Sequence, residues 1–110
     1  MYVFVYGTLK RGHGNHYWMP EDAELIGKDT LKNFNIYDLG PFPAVVPEIG
    51  EYVIGELWEV ESLENLDILE GYPELYNRKV VKTQSGYDAW VYYMSTINFD
   101  TAKSVDGKEW

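Results

Sequence analysis

Arg78-Lys79-Val80-Val81-Lys82-Thr83-Gln84-Ser85-Gly86-Tyr87-Asp88-Ala89-Trp90-Val91-Tyr92-Tyr93 is the stretch that decides the fold class. Two runs rich in β-branched and aromatic residues, Arg78–Lys82 and Asp88–Tyr93, flank the turn signal Gln84-Ser85-Gly86 and predict a hairpin. Immediately upstream the period changes. Leu63, Leu66 and Leu69 recur every third residue, Ser62 can serve as N-cap, and Gly71 stands where a left-handed C′ residue belongs. That pattern predicts a helix of roughly two turns. Pro73 keeps Tyr72 out of helical geometry just beyond it. Further upstream, Tyr2–Tyr6, Ala23–Thr30, Phe34–Leu39 and Tyr52–Trp58 read as strands, and a second short helix is expected between His13 and Met19. Six strands with one or two short helices, in irregular order, predict an α+β domain with a mixed, barrel-like sheet.

A chain of 110 residues has room for one core, so residues 1–110 are expected to form a single domain with a polar tail over 95–110. Apolar residues make up 45% of the chain, enough for a real interior, and ten tyrosines and four tryptophans suit a pocket wall as well as a core. The absence of cysteine excludes disulfides, thiolate metal sites and a cysteine nucleophile. A net charge of −9 argues against general nucleic-acid binding, which needs clustered Lys and Arg. The apolar run at Tyr2–Tyr6 ends at Gly7, too short for a secretion signal or a membrane span, so a cytoplasmic location and no membrane partner are expected. No phosphate loop or Gly-x-Ser-x-Gly elbow occurs, and His13 and His16 have no companion carboxylate at a metal-binding spacing, so no metal or cofactor is expected.

Two segments can carry chemistry. Tyr6-Gly7-Thr8-Leu9 takes the chain from a strand into a turn, where consecutive N–H groups can cradle a carboxylate-sized anion and Thr8 adds a hydroxyl. Lys10 and Arg11 are expected to raise the local positive potential. The plainer reading is that Gly7 only permits a tight turn. In the second segment, Glu70 sits in the last helical turn, among unpaired carbonyls, with Asp67 three residues earlier on the same face. Both features are expected to raise its pKa, as a general base working near neutrality requires. A solvated helix-end residue is the competing reading. Tyr72 and Tyr76 fit either a pocket wall or the core, and Arg78 fits either ligand contact or a tie to a buried carboxylate.

Five segments, in order, resemble the γ-glutamylcyclotransferase-like (AIG2-like) family, near its γ-glutamylamine cyclotransferase type. They are Val5-Tyr6-Gly7-Thr8-Leu9-Lys10-Arg11-Gly12, Leu39-Gly40-Pro41-Phe42-Pro43-Ala44-Val45 and Val53-Ile54-Gly55-Glu56-Leu57-Trp58-Glu59-Val60. Leu66-Asp67-Ile68-Leu69-Glu70-Gly71-Tyr72-Pro73 with Tyr76-x-Arg78, and Ala89-Trp90-Val91-Tyr92-Tyr93, complete the series. They span residues 1 to about 94. The resemblance implies conversion of a γ-glutamyl compound to 5-oxoproline and a free amine. It implies Glu70 as the catalytic acid/base, Tyr6, Gly7, Thr8, Leu9 and Tyr76 as substrate-binding residues, and Asp67 and Arg78 in support. A small-molecule substrate and a monomer or weak dimer are expected. Little chain follows the last matched strand to build a lid, so γ-glutamylamines such as γ-glutamyl-ε-lysine are expected over small γ-glutamyl dipeptides. The rival readings are a non-catalytic acidic binding protein with the same fold and pocket, and an acidic nucleic-acid mimic.

Overall fold

The computed structural model describes residues 1–110. Its first strand, β1 (Tyr2–Val5), is the hub of one six-stranded sheet, and Val3, Phe4 and Val5 are almost wholly buried. The other elements follow as β2 (Glu24–Asp38), β3 (Pro43–Glu59), helix α1 (Glu64–Glu70), β4 (Asn77–Lys82), β5 (Asp88–Tyr93) and β6 (Lys103–Ser104). The sheet order is β4-β5-β1-β3-β2-β6. Strand β1 runs antiparallel to β3 (Val3 opposite Trp58) and parallel to β5 (Val3 opposite Trp90), so the sheet is mixed as expected.

Both faces of the sheet are covered, and the strand alternation divides the core in two. Val3, Val5, Ala44, Trp58 and Tyr92 face α1, whose Leu63 and Leu66 complete that cluster. Phe4, Tyr6, Val45, Val53, Leu57 and Val91 face the inside of the curl, against Leu31, Phe34 and Ile36. A clamp holds the curl. Gln84 N–H donates to the Thr30 carbonyl at 2.9 Å, and Ser85 donates through N–H and Oγ to Asp29 Oδ1 at 3.2 and 3.0 Å. The β4–β5 turn is thereby tied to β2, three sheet positions from β5, giving the barrel-like shape predicted from the strand count.

Strand boundaries differ from the sequence reading. The predicted strands Ala23–Thr30 and Phe34–Leu39 are one strand, with register shifts between Leu25 and Gly27 and between Lys32 and Phe34. Asn33 looks like a strand break but takes a left-handed φ of 65°, which Asn tolerates, and forms a bulge. Its side-chain oxygen accepts the Gly50 N–H at 3.1 Å, replacing a ladder bond. Tyr52–Trp58 is only the second half of β3. Pro43, Pro47 and Gly50 disguise the first half, and Pro47, which cannot donate, stands opposite Phe34 beside the bulge.

Helix α1 is seven residues long, as its leucine spacing predicts. The N-cap is Leu63 rather than the expected Ser62, which stands one residue earlier and accepts the Glu64 N–H through Oγ at 3.1 Å. Gly71 ends it with φ 62° and ψ 38°, and the Tyr72 N–H closes back on the Asp67 carbonyl at 3.0 Å. Between His13 and Met19 the expected helix is only a 3₁₀ turn, His16–Trp18. The polar tail is structured. Strand β6 pairs with β2 through Ser104 and Tyr37, Lys108 bonds Glu51 at 2.7 Å, and Trp110 packs against the inner core. No helix is long and apolar enough to cross a membrane.

Candidate active site

Where β1 ends, the backbone has no strand to pair with, and its hydrogen bonds must go elsewhere. The Lys10 N–H donates to the Gly7 carbonyl at 3.0 Å, and Asn15 N–H donates to the Thr8 carbonyl at 2.9 Å. Asn15 Nδ2 also donates to Thr8 Oγ1 at 2.9 Å, and the His16 ring nitrogen Nδ1 meets the Leu9 carbonyl at 2.9 Å. The loop's carbonyls are thus used, whereas the N–H groups of Gly7, Thr8 and Leu9 donate to no protein acceptor. Three consecutive amides are thus left without a protein acceptor at the turn where an anion cradle was expected. Gly7 is needed for more than the turn, because a methyl there would come within 2.6 Å of Pro43 Cγ.

Tyr6, Gly7, Thr8 and Leu9 line a cavity of about 110 Å³ whose other walls are Phe4, Val5, Asn15, Phe42, Pro43, Leu69, Glu70, Leu75, Tyr76 and Tyr92. That is small beside the roughly 300–1,000 Å³ of drug-sized sites, and suits a compact polar group. Its upper wall is built by α1. The Gly71 cap stops the helix at Glu70, so the carboxylate projects from the last turn into the cavity lining rather than continuing along the surface. Tyr76 Oη donates to the Pro43 carbonyl at 2.6 Å and Tyr6 Oη to the Tyr92 carbonyl at 2.8 Å. Both hydroxyls are therefore committed to backbone, and the two rings serve as walls.

Glu70 is the one carboxylate in the lining. Burial among apolar walls raises its pKa from the ordinary value of 4.5 to about 7. Burial, reinforced by the negative charge at Glu70, likewise pushes Tyr6 and Tyr76 well above the usual phenol range, so both are neutral at physiological pH. The direction expected for Glu70 holds, but burial is its cause, and neither the helix-end carbonyls nor Asp67 contributes as expected. Asp67 is neutralised by Arg78, whose Nε donates to Oδ1 at 2.9 Å and whose Nη2 donates to Oδ2 at 3.3 Å. Of the alternatives left open for Arg78, the tie to a carboxylate is the one formed.

Neither Lys10 nor Arg11, expected to raise the positive potential here, lines the cavity. Lys10 is buried, but its ammonium donates to the Trp110 carbonyl at 3.2 Å, and the Arg11 backbone N–H donates to Glu56 Oε1 at 2.9 Å while its side chain is exposed. The cradle is made of amides alone. Tyr72 lies over the Arg78 guanidinium rather than in the lining. Sequence reasoning singled out Tyr6, Gly7, Thr8, Leu9, Glu70 and Tyr76, and all six line the cavity. It missed Asn15, Phe42, Pro43, Leu75 and Tyr92. Phe42 and Pro43 belonged to a quoted motif with no turn or charge to mark a role, and Tyr92 read as one more alternating strand residue.

Residues 3–110 match the family described as gamma-glutamyl cyclotransferase, AIG2-like. The chain is 34% identical over 113 residues to the gamma-glutamylcyclotransferase family protein YtfP of Escherichia coli K12, covering 100% of this chain and 96% of that protein. The solution structure of E. coli ytfP superposes with a TM-score of 0.75 over the same shares. A mouse AIG2-like protein of known crystal structure gives a TM-score of 0.80 at 30% identity, covering 91% of this chain and 80% of the other. The cavity thus lies in a domain whose sequence and fold agree on one assignment, and this chain belongs to the γ-glutamylcyclotransferase, AIG2-like family.

Proposed function

We propose that this protein is a cyclotransferase that converts a γ-glutamyl amine to 5-oxoproline and the free amine, with Glu70 as general acid/base. The observation that carries the reading is the pairing, in one small cavity, of a carboxylate with a pKa of about 7 and three free backbone amides. The family's name supplies the reaction class. The Gly7–Leu9 amides would bind the substrate's α-carboxylate, which turns the neighbouring α-amino group toward Glu70. That amino group attacks the γ-carbonyl carbon, forming the new ring C–N bond, and the bond to the departing amine breaks. The α-nitrogen gives up two protons over the reaction and the departing nitrogen, leaving as an ammonium, gains two. Glu70 carries them one at a time, accepting from the first nitrogen and donating to the second.

A group that is half ionised at pH 7 can do both, which is why its raised pKa matters. Such proton transfer contributes typically about 10²–10⁴-fold, and ring closure in a fixed geometry can contribute more. For the departing amine, the cavity edge offers exposed Leu75 with half-buried Phe42 and Leu69, and no cation lines it. An apolar or bulky amine suits that edge better than a small amino acid bearing its own carboxylate. The test is a panel of γ-glutamyl compounds assayed for 5-oxoproline. Turnover of γ-glutamylamines above γ-glutamyl-alanine supports the reading; preference for γ-glutamyl-alanine contradicts the specificity, and no turnover of any member contradicts the function.

A further inference from the structure

The side chains of Asp67 and Arg78 meet beside the cavity, not in it. Besides its two hydrogen bonds to Asp67, the Arg78 guanidinium lies over the rings of Tyr72, at 4.3 Å, and Trp90, at 4.5 Å. Two cation–π contacts and a bidentate carboxylate hold it in place, a set of contacts that a lysine could not reproduce. Tyr92 Oη donates to Asp67 Oδ1 at 2.7 Å. Tyr92 is also a cavity wall, and its carbonyl accepts the Tyr6 hydroxyl. A single ring therefore links the ion pair to the site. Surface ion pairs contribute little to stability, but this one is partly shielded and held by three neighbours, Tyr72, Trp90 and Tyr92.

We propose that Asp67 and Arg78 act as a neutral positioning pair, locking the last turn of α1 so that Glu70 faces the cradle and cancelling each other's charge at that carboxylate. The proposal rests on the acid/base reading of Glu70. Two observations support it. First, a seven-residue helix has little stability of its own and depends on tertiary contacts, of which Leu63, Leu66 and Leu69 supply the apolar ones. Asp67, three residues before Glu70, is tied to both β4 and β5 and supplies a polar one. Second, Tyr6 just after β1, Tyr76 from the segment after α1 and Tyr92 from β5 line the cavity with Glu70, and Asp67 and Arg78 meet at the Tyr92 hydroxyl behind that wall. The three tyrosines are neutral, leaving Asp67 and Arg78 as the charges at this corner. Paired, they let burial alone set the proton affinity of Glu70.

Opposite effects from the two halves distinguish this role from a merely structural one. The experiment follows the Glu70 carboxyl carbon by NMR across pH in wild type, Asp67→Asn, Arg78→Gln and the double variant, alongside the pH profile of 5-oxoproline formation. Asp67→Asn leaves a bare guanidinium and is expected to lower the Glu70 midpoint, because an unpaired positive charge favours the ionised carboxylate. Arg78→Gln leaves a bare carboxylate and is expected to raise it, and the double variant to restore it nearly to the wild-type value. Midpoints that stay put, or move the same way in both single variants, overturn the proposal. Should Arg78→Gln fail to fold, the near-isosteric Asp67→Asn decides the matter alone. Opposite shifts in a protein that turns over no γ-glutamyl compound would uphold the pair and refute the enzymatic reading, so the two fail separately.

Discussion

Glu70 shows how one side chain's surroundings change what its residue type means. By type and position it is an ordinary helix-end glutamate, and only the walls around it, which no local pattern encodes, make it a weak acid. The same burial makes a stability prediction. The folded-state pKa is about 7 against 4.5 for the free group, so below pH 4.5 both states hold the proton and nothing is lost. Between those values the unfolded chain ionises first, stability falls as pH rises, and above 7 the loss is constant at roughly 3 kcal/mol. Glu70→Gln is therefore expected to exceed wild type in urea-unfolding stability at pH 8 and to match it at pH 4; an equal difference at both pH values would contradict this. Gly7 makes a second residue-scale prediction. Gly7→Ala forces the methyl against the Pro43 ring, so the cradle must shift. Overpacking of this kind costs about 1–3 kcal/mol, and a KM rise of at least about tenfold is expected in the 5-oxoproline assay.

Helix α1 is the element on which the site depends most. Its existence was legible from Leu63, Leu66 and Leu69 between Ser62 and Gly71, because capping and periodicity are local. What it does was not, since the partner of Asp67 lies eleven residues away and on another element. Leu66 is fully buried, and Leu66→Ala is expected to cost about 2–5 kcal/mol by denaturant unfolding. Strand β3 illustrates the reverse case. Its first half carries two prolines and ends at Gly50, which locally argue against a strand, yet the bulge at Asn33 on its partner accommodates Pro47. A bulge is a two-strand property, and a one-dimensional reading sees only its breaker residues. The cradle falls between: the glycine and its turn were readable, but which N–H groups stay free depends on Asn15 and His16 occupying the loop's carbonyls.

For the molecule as a whole, class and sheet type followed from the number and order of the segments, whereas closure of the curl did not. Closure depends on Asp29, a buried acid in β2 that read as an unremarkable polar residue. Its Oδ1 accepts the Thr30 N–H at 2.8 Å as well as both Ser85 donors. Asp29→Ala leaves those donors unsatisfied, and a loss of about 2–3 kcal/mol is expected, with faster amide exchange at Ser85 and Thr30 than at β1. Uniform exchange acceleration across the sheet would contradict a local clamp. The inner core and the cavity share Phe4 and Tyr6, so loosening the curl is transmitted to the cradle through β1.

The central claim is that Glu70 moves the protons. It is tested most directly by the pH dependence of kcat/KM for 5-oxoproline formation from a γ-glutamylamine, in wild type and in Glu70→Gln. The account predicts a wild-type profile with an inflection near pH 7 and a loss of at least about 10²-fold in folded Glu70→Gln. A variant as active as wild type, or a profile flat between pH 6 and 8, would contradict it.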